Sequence, residues 1–167
     1  MEIRLATYSD LGALMEVFDA AKCIMRASGN LHQWNDGYPS EDVVRADIEA
    51  GHCFVACEDG CIVGTMALIP GPDPTYSFIE GAWPDSLPYY VIHRIAVAAS
   101  GRGLAVRMFD WAFERIAASG CSTIRIDTHR DNVIMKHILS KYGFTECGVI
   151  YLASGAPRDA YHLSGMV

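Results

Sequence analysis

The sequence predicts a mixed α/β (α+β) fold, a central mixed β-sheet flanked by helices, and three observations carry that expectation. Apolar stripes at three- and four-residue spacing alternate along the chain with short runs rich in β-branched and aromatic residues. Asp59-Gly60 joins two of those runs as a hairpin turn, which calls for antiparallel pairing. Residues 89–128 read strand, helix, strand, the unit that brings a parallel pair into a sheet. The 167 residues fit one domain spanning 1–167. A chain of this size buries a core without help from disulfides or metal.

Taken in order, residues 3–6 predict a short strand. Ser9 or Asp10 caps a helix running to about Ser28, with Leu11, Leu14, Met15, Phe18, Ala21 and Met25 on its apolar stripe. Residues 30–39 form an irregular loop holding Trp34 and Tyr38. Ser40 caps a second helix, with Glu41 and Asp42 in its first turn, and Gly51 ends it. The hairpin 53–58 and 61–69 follows. Residues 70–88, with five prolines, show no regular period, and so long a connection in a small domain is usually functional or mobile. A long apolar strand over 89–98 is interrupted by His93-Arg94. A helix is expected at 104–119, a strand at 123–128, a helix at 132–142 capped by Gly143, and closing strands at 144–152 and 160–165.

Composition narrows the function. The net charge of −7 argues against a nucleic-acid partner, which would call for a basic face. No apolar run approaches the ~20 residues that span a bilayer, and the first residues do not resemble a signal peptide, so a cytoplasmic location is expected, with no membrane partner. Six cysteines include no Cys-x-x-Cys pair, and Cys53, Cys57 and Cys61 straddle the hairpin turn, so free thiols and no metal site are expected.

The most informative stretch is Ser100-Gly101-Arg102-Gly103-Leu104-Ala105, a small-residue turn that feeds a helix. A helix start presents unpaired amides at the positive end of the dipole, and small residues let a pyrophosphate approach them. A tight turn needing glycines for its geometry explains the same residues equally well. The phosphate loop of nucleotide triphosphatases is excluded, because no Gly-Lys-Ser/Thr follows. The dinucleotide fingerprint fails at its third small position, which is Val106.

These residues resemble the GNAT superfamily of N-acetyltransferases. The turn is similar to the family's Gln/Arg-x-x-Gly-x-Gly/Ala motif and follows the apolar Ile95-Ala96-Val97. Downstream, Asn132-Val133-Ile134-Met135 and Leu139-Ser140-Lys141-Tyr142-Gly143-Phe144 resemble its second signature. The likeness covers most of the chain in the right order. It implies the GNAT-like acyl-CoA N-acyltransferase fold, acetyl-CoA as cosubstrate, and transfer of an acetyl group to a primary amine of a small molecule or peptide. It also implies that Ile95, Ala96 and Val97 pair with the pantetheine arm, that Ser100, Gly101, Arg102, Gly103, Leu104 and Ala105 hold the pyrophosphate, and that Asn132 and Met135 meet the arm. Asn132 also reads as a plain helix cap. Two positions depart from the pattern. Ser100 stands where Gln or Arg is usual, and Leu139 stands where a tyrosine often protonates the leaving thiolate. The second departure leaves open a non-catalytic acyl-CoA sensor of the same shape.

Acetyl transfer to an alkyl amine requires removal of a proton held with a pKa near ~10.4. The expected bases are His93, two residues before Ile95, and His129, just past the parallel strand; either also reads as an ordinary structural histidine. Trp34, Tyr38, Tyr76 and Trp83 are expected around the acceptor, unless they simply pack loops on the sheet. A homodimer is a mild expectation from exposed apolar loops and edge strands.

Overall fold

A computed structural model describes residues 1–165. Among the described residues eight strands form one sheet in the order β1-β2-β3-β5-β6-β8-β7-β4. The strands are β1 (Glu2–Leu5), β2 (Cys53–Glu58), β3 (Cys61–Pro70), β4 (Glu80–Gly81), β5 (Tyr90–Val97), β6 (Thr123–Thr128), β7 (Thr145–Tyr151) and β8 (Pro157–Ser164). Among the described residues only β5 and β6 pair in parallel, and α3 (Leu104–Ala118) makes the crossover between them. The remaining helices are α1 (Leu11–Ala27), α2 (Glu41–Glu49) and α4 (Val133–Lys141). The mixed sheet flanked by helices is therefore the architecture that the sequence predicts.

Period-two alternation sorts the two faces. In β2, Phe54 and Ala56 turn toward Met108, Phe109 and Ala112 of α3, whereas Cys53 and Val55 turn toward Leu14, Val17 and Phe18 of α1. Helices α3 and α4 cover one face; α1 and α2 cover part of the other. The rest of that second face lies under the 70–88 segment, whose Tyr76 packs on Val91, Ile150 and Ala160.

Two elements differ from expectation. The 70–88 segment contains a short helical turn (Pro74–Tyr76) and the two-residue strand β4, which pairs with β7. There Gly81 and Gly148 face each other at positive φ, 134° and 138°, with backbones too close for a side chain on either. The last strand begins at Pro157 instead of 160. Proline at a strand start gives up no ladder bond, so Pro157 can pair opposite Tyr151. No helix among the described residues is long and apolar enough to cross a membrane.

Candidate active site

The parallel pair sets the site. Strands β5 and β6 are bonded only at Tyr90–Ile124 and Val91–Arg125, and beyond those residues they diverge. On its other edge β5 stays paired with β3 as far as Val97. The β6-facing edge of residues 92–97 is thus left with unpaired backbone groups, a poor outcome for a sheet unless something else occupies the gap.

An apolar groove of about 80 Å³ runs along that edge, between Ala21, Ile24 and Met25 of α1 and Ile134, Met135 and Ile138 of α4, with Ile95, Ala96, Val97 and Ala105 on its floor. Near Ala105 stands the tip of α3. Gly103 is its N-cap in the left-handed region, φ 67°, and the Arg107 amide makes the bond to the Gly103 carbonyl. The amides of residues 103–106 precede the first intrahelical bond and have no partner within the helix. A Cβ on Gly101 or Gly103 would meet open space, so the approach to these amides is clear. Arg102 turns away from the tip and shares Glu58 with Arg107.

The other end of the groove opens into a cleft of about 530 Å³, and Met25, Ile95, Asn132 and Met135 line both. Its walls come from the 30–39 loop, β5, the end of β6 and the 152–158 segment. The sequence makes the 30–39 loop irregular, and Arg26 at the end of α1 fixes it by donating to the carbonyls of Asn30 (2.7 Å) and Gln33 (2.8 Å) and to Asn35 Oδ1 (2.7 Å). The Gln33 side-chain oxygen accepts from Asn30 (2.7 Å) and from Asn132 (3.0 Å), so this loop is tied to the start of α4. Asn132 also accepts from the Met135 amide (3.1 Å), as a helix cap does.

Strand β5 carries a bulge where His93-Arg94 interrupts the apolar run. Thr65 faces Ala96 but Ala67 faces His93, so Arg94 and Ile95 together oppose Met66. Arg94 has φ 51°, uncommon for a residue with a side chain. Asp47 of α2 grips its guanidinium with two bonds of 2.7 Å, and the Tyr38 hydroxyl lies 3.2 Å away. The bulge shifts the backbone at Ile95 out of the β3 ladder at the junction of groove and cleft.

His93 sits there in a polar cluster. Its Nε2 lies 2.7 Å from Asp73 Oδ2 and its Nδ1 3.8 Å from Asp127 Oδ1. Burial alone would raise the Asp73 pKa; hydrogen bonds from His93 and from the Thr75 hydroxyl and amide outweigh it and bring the value to about 2. An ionised carboxylate only accepts, so Nε2 carries the proton toward Asp73, and in the neutral ring Nδ1 is the basic nitrogen. Asp127 accepts from the Tyr76 hydroxyl (2.7 Å), whose pKa burial and the Asp127 charge push well up.

Of the aromatic residues expected around the acceptor, Trp34 and Tyr38 stand in the cleft wall. Tyr76 and Trp83 instead lie behind it. Tyr76 is buried, and Trp83 donates to its carbonyl (3.0 Å) while covering Arg125. His129 accepts from the Asp131 amide at Nδ1 (3.2 Å), closing the turn after β6. Burial and the Arg158 charge lower its pKa. Leu139 is fully buried in the core between α4 and the sheet, and the Tyr142 hydroxyl lies within hydrogen-bond distance of two acceptors on α3, the Val106 carbonyl (3.0 Å) and Asp110 (2.5 Å). Sequence reasoning missed Asp73 and Gln33. Both lie in irregular segments, where no periodic pattern marks which way a side chain points.

A model of the acetyltransferase (GNAT) family matches residues 15–144. A crystal structure of a GNAT-family acetyltransferase from Streptococcus agalactiae is 34% identical, with a TM-score of 0.80 over 98% of this chain and 95% of that one. The uncharacterized N-acetyltransferase YesJ of Bacillus subtilis is 26% identical over 95% of this chain and 85% of its own length. The PaiA N-acetyltransferase of Thermoplasma acidophilum, whose structure is a complex with coenzyme A, has the same fold at 15% identity, with a TM-score of 0.70 over 98% of each chain.

Proposed function

This chain belongs to the GNAT family of acetyltransferases, and we propose that it moves an acetyl group from acetyl-CoA to a primary amine held in the cleft beside His93. GNAT enzymes in general use acetyl-CoA and act on amines. Carrying the reading here is one observation: an apolar groove along an unpaired strand edge connects free helix-tip amides to a cleft that holds a carboxylate-bound histidine.

The residues fit the coenzyme. The amides of residues 103–106 suit a diphosphate at the positive end of α3, with Gly101 and Gly103 leaving room for it. Backbone groups of Ile95 and Val97 suit an amide-rich arm lying in the groove as an added strand. Bound there, acetyl-CoA supplies an acetyl group activated as a thioester. Asn132 contributes by capping α4 and so shaping the groove wall. Single-domain organisation over 1–167 suits the reading, since strands from both ends of the chain join one sheet.

His93 supplies the base. Removing a proton from an amine of pKa ~10.4 at pH 7 costs roughly 4–5 kcal/mol, and a positioned base commonly gives ~10²–10⁴-fold in rate. Nδ1 takes that proton as the new C–N bond forms and the thioester C–S bond breaks. The imidazolium so formed lies between the carboxylates of Asp73 and Asp127. The amide at the Ile95 bulge points the way for an oxyanion donor, because it is released from the β3 ladder. With Leu139 in the core, no phenol stands at the position where the family often has one, so the leaving thiolate takes its proton from another source.

Titration calorimetry with acetyl-CoA, followed by thiol release across a panel of primary amines, tests the reading. Micromolar-range binding with amine-dependent thiol release is expected. Binding without release from any amine would return the chain to the sensor alternative.

A further inference from the structure

The cleft holds a cationic side chain that the proposed transfer chemistry does not use. Two arginines line it. Arg94 is paired with Asp47, and beside the cleft Lys136 is paired with Asp159 at 2.6 Å. Arg158, at the start of β8, is the second arginine. It is half-buried, it donates one N–H to the Pro157 carbonyl (2.8 Å), and among the described residues no carboxylate lies within salt-bridge distance. Burial lowers its pKa, offset in part by the Asp127 charge, so the guanidinium has given up water without gaining an ion-pair partner. A partly desolvated guanidinium presents a planar fork of donors, which matches the geometry of a carboxylate or a phosphate.

We propose that the acceptor is a small amino acid, its amine facing His93 and its carboxylate received by Arg158. The inference rests on the acetyl-transfer reading above and specifies its substrate class. Opposite poles in a cleft of this volume suit one small zwitterion: a basic histidine flanked by Asp73 and Asp127 at the β5 side, and an unpaired cation on β8. A diamine or polyamine fits worse, because its second ammonium would meet Arg158, and like charges in a partly dry cleft repel. The aromatic wall of Trp34 and Tyr38 leaves room for an apolar side chain on the amino acid.

Thiol release from acetyl-CoA, measured for the common amino acids and for each one's decarboxylated amine, tests this directly. The wild type is expected to favour at least one acid over its matched amine by about ten- to a hundredfold in kcat/KM, the usual loss for a charged hydrogen-bond partner removed. In Arg158→Gln that ratio should fall close to one, and in Arg158→Lys it should be partly kept. Acetyl-CoA affinity and the thermal unfolding midpoint, read on the same variants, show that the fold persists. Amines accepted as well as or better than every matched acid, or a ratio unmoved in Arg158→Gln, would overturn the amino-acid assignment and leave acetyl transfer standing. Failure to bind acetyl-CoA, or no release with any member of either set, would overturn both.

Discussion

The two ends of the groove are built on different principles. The end proposed for the coenzyme consists of backbone: the amides at the α3 tip, the unpaired edge of β5, and small residues that keep both open. The end proposed for the acceptor consists of side chains delivered from distant parts of the chain, with Asp73, His93, Asp127 and Arg158 arriving from four separate segments. Backbone sites need only local sequence, whereas a side-chain site needs the whole fold. Substitutions at the two ends should therefore separate cleanly, one set in acetyl-CoA affinity and the other in turnover.

The largest effect is expected at His93. Replacing it with glutamine removes the base while keeping a polar side chain near Asp73, and kcat should fall by about 10²–10⁴-fold at pH 7. Calorimetric affinity for acetyl-CoA should stay within a few-fold. A variant that kept its turnover would assign the proton to another group. At the opposite end, Gly103→Val forces a β-branched residue into φ 67° and crowds the α3 amides. Acetyl-CoA binding should weaken by about a hundredfold, roughly 2.7 kcal/mol, with little change in the ratio of rates between different amines.

This division also explains what could be read from the sequence. The turn 100–105, the helix after it and the hairpin at Asp59-Gly60 are contiguous patterns with local causes, and each element lies within a few residues of its expected place. His93 was visible as a polar interruption of an apolar strand. Asp73 was not, because its role depends on a loop turned over β5 by the bond from the Trp83 indole to Tyr76 and by the Asp73 amide donating to the Tyr89 hydroxyl (3.0 Å). Tyr76 and Trp83 were read as cleft aromatics on composition alone. Their burial beneath the loop follows from packing between β5 and β8, which local pattern does not encode.

Asp73 gives a prediction on pH. Its folded-state pKa of about 2 lies below the ~3.9 of an unfolded chain, so the stability it contributes is complete above about pH 4 and is lost as the pH falls toward 2. The shift corresponds to about 2 kcal/mol. Urea unfolding at pH 5 and pH 2.5 should show the wild type losing more stability than Asp73→Asn by that order. Parallel losses in the two proteins would mean that the His93 and Thr75 bonds do not hold the carboxylate ionised.

The smallest effect is expected at Asn132, the residue on the boundary between the two ends. Its side chain is buried; the oxygen accepts from the Met135 amide and the nitrogen donates to Gln33. If those two bonds are its work, Asn132→Ala should cost about 1 kcal/mol of stability, the usual worth of a cap. Asn132→Ser keeps an oxygen for the cap but cannot reach Gln33, so it should recover most of that stability. Acetyl-CoA affinity should then follow stability through the series, with serine near the wild type. A serine variant that is stable and yet binds acetyl-CoA as poorly as alanine would instead place the Asn132 amide in direct contact with the coenzyme. The boundary residue would then belong to the coenzyme end, and that end would no longer be built of backbone alone.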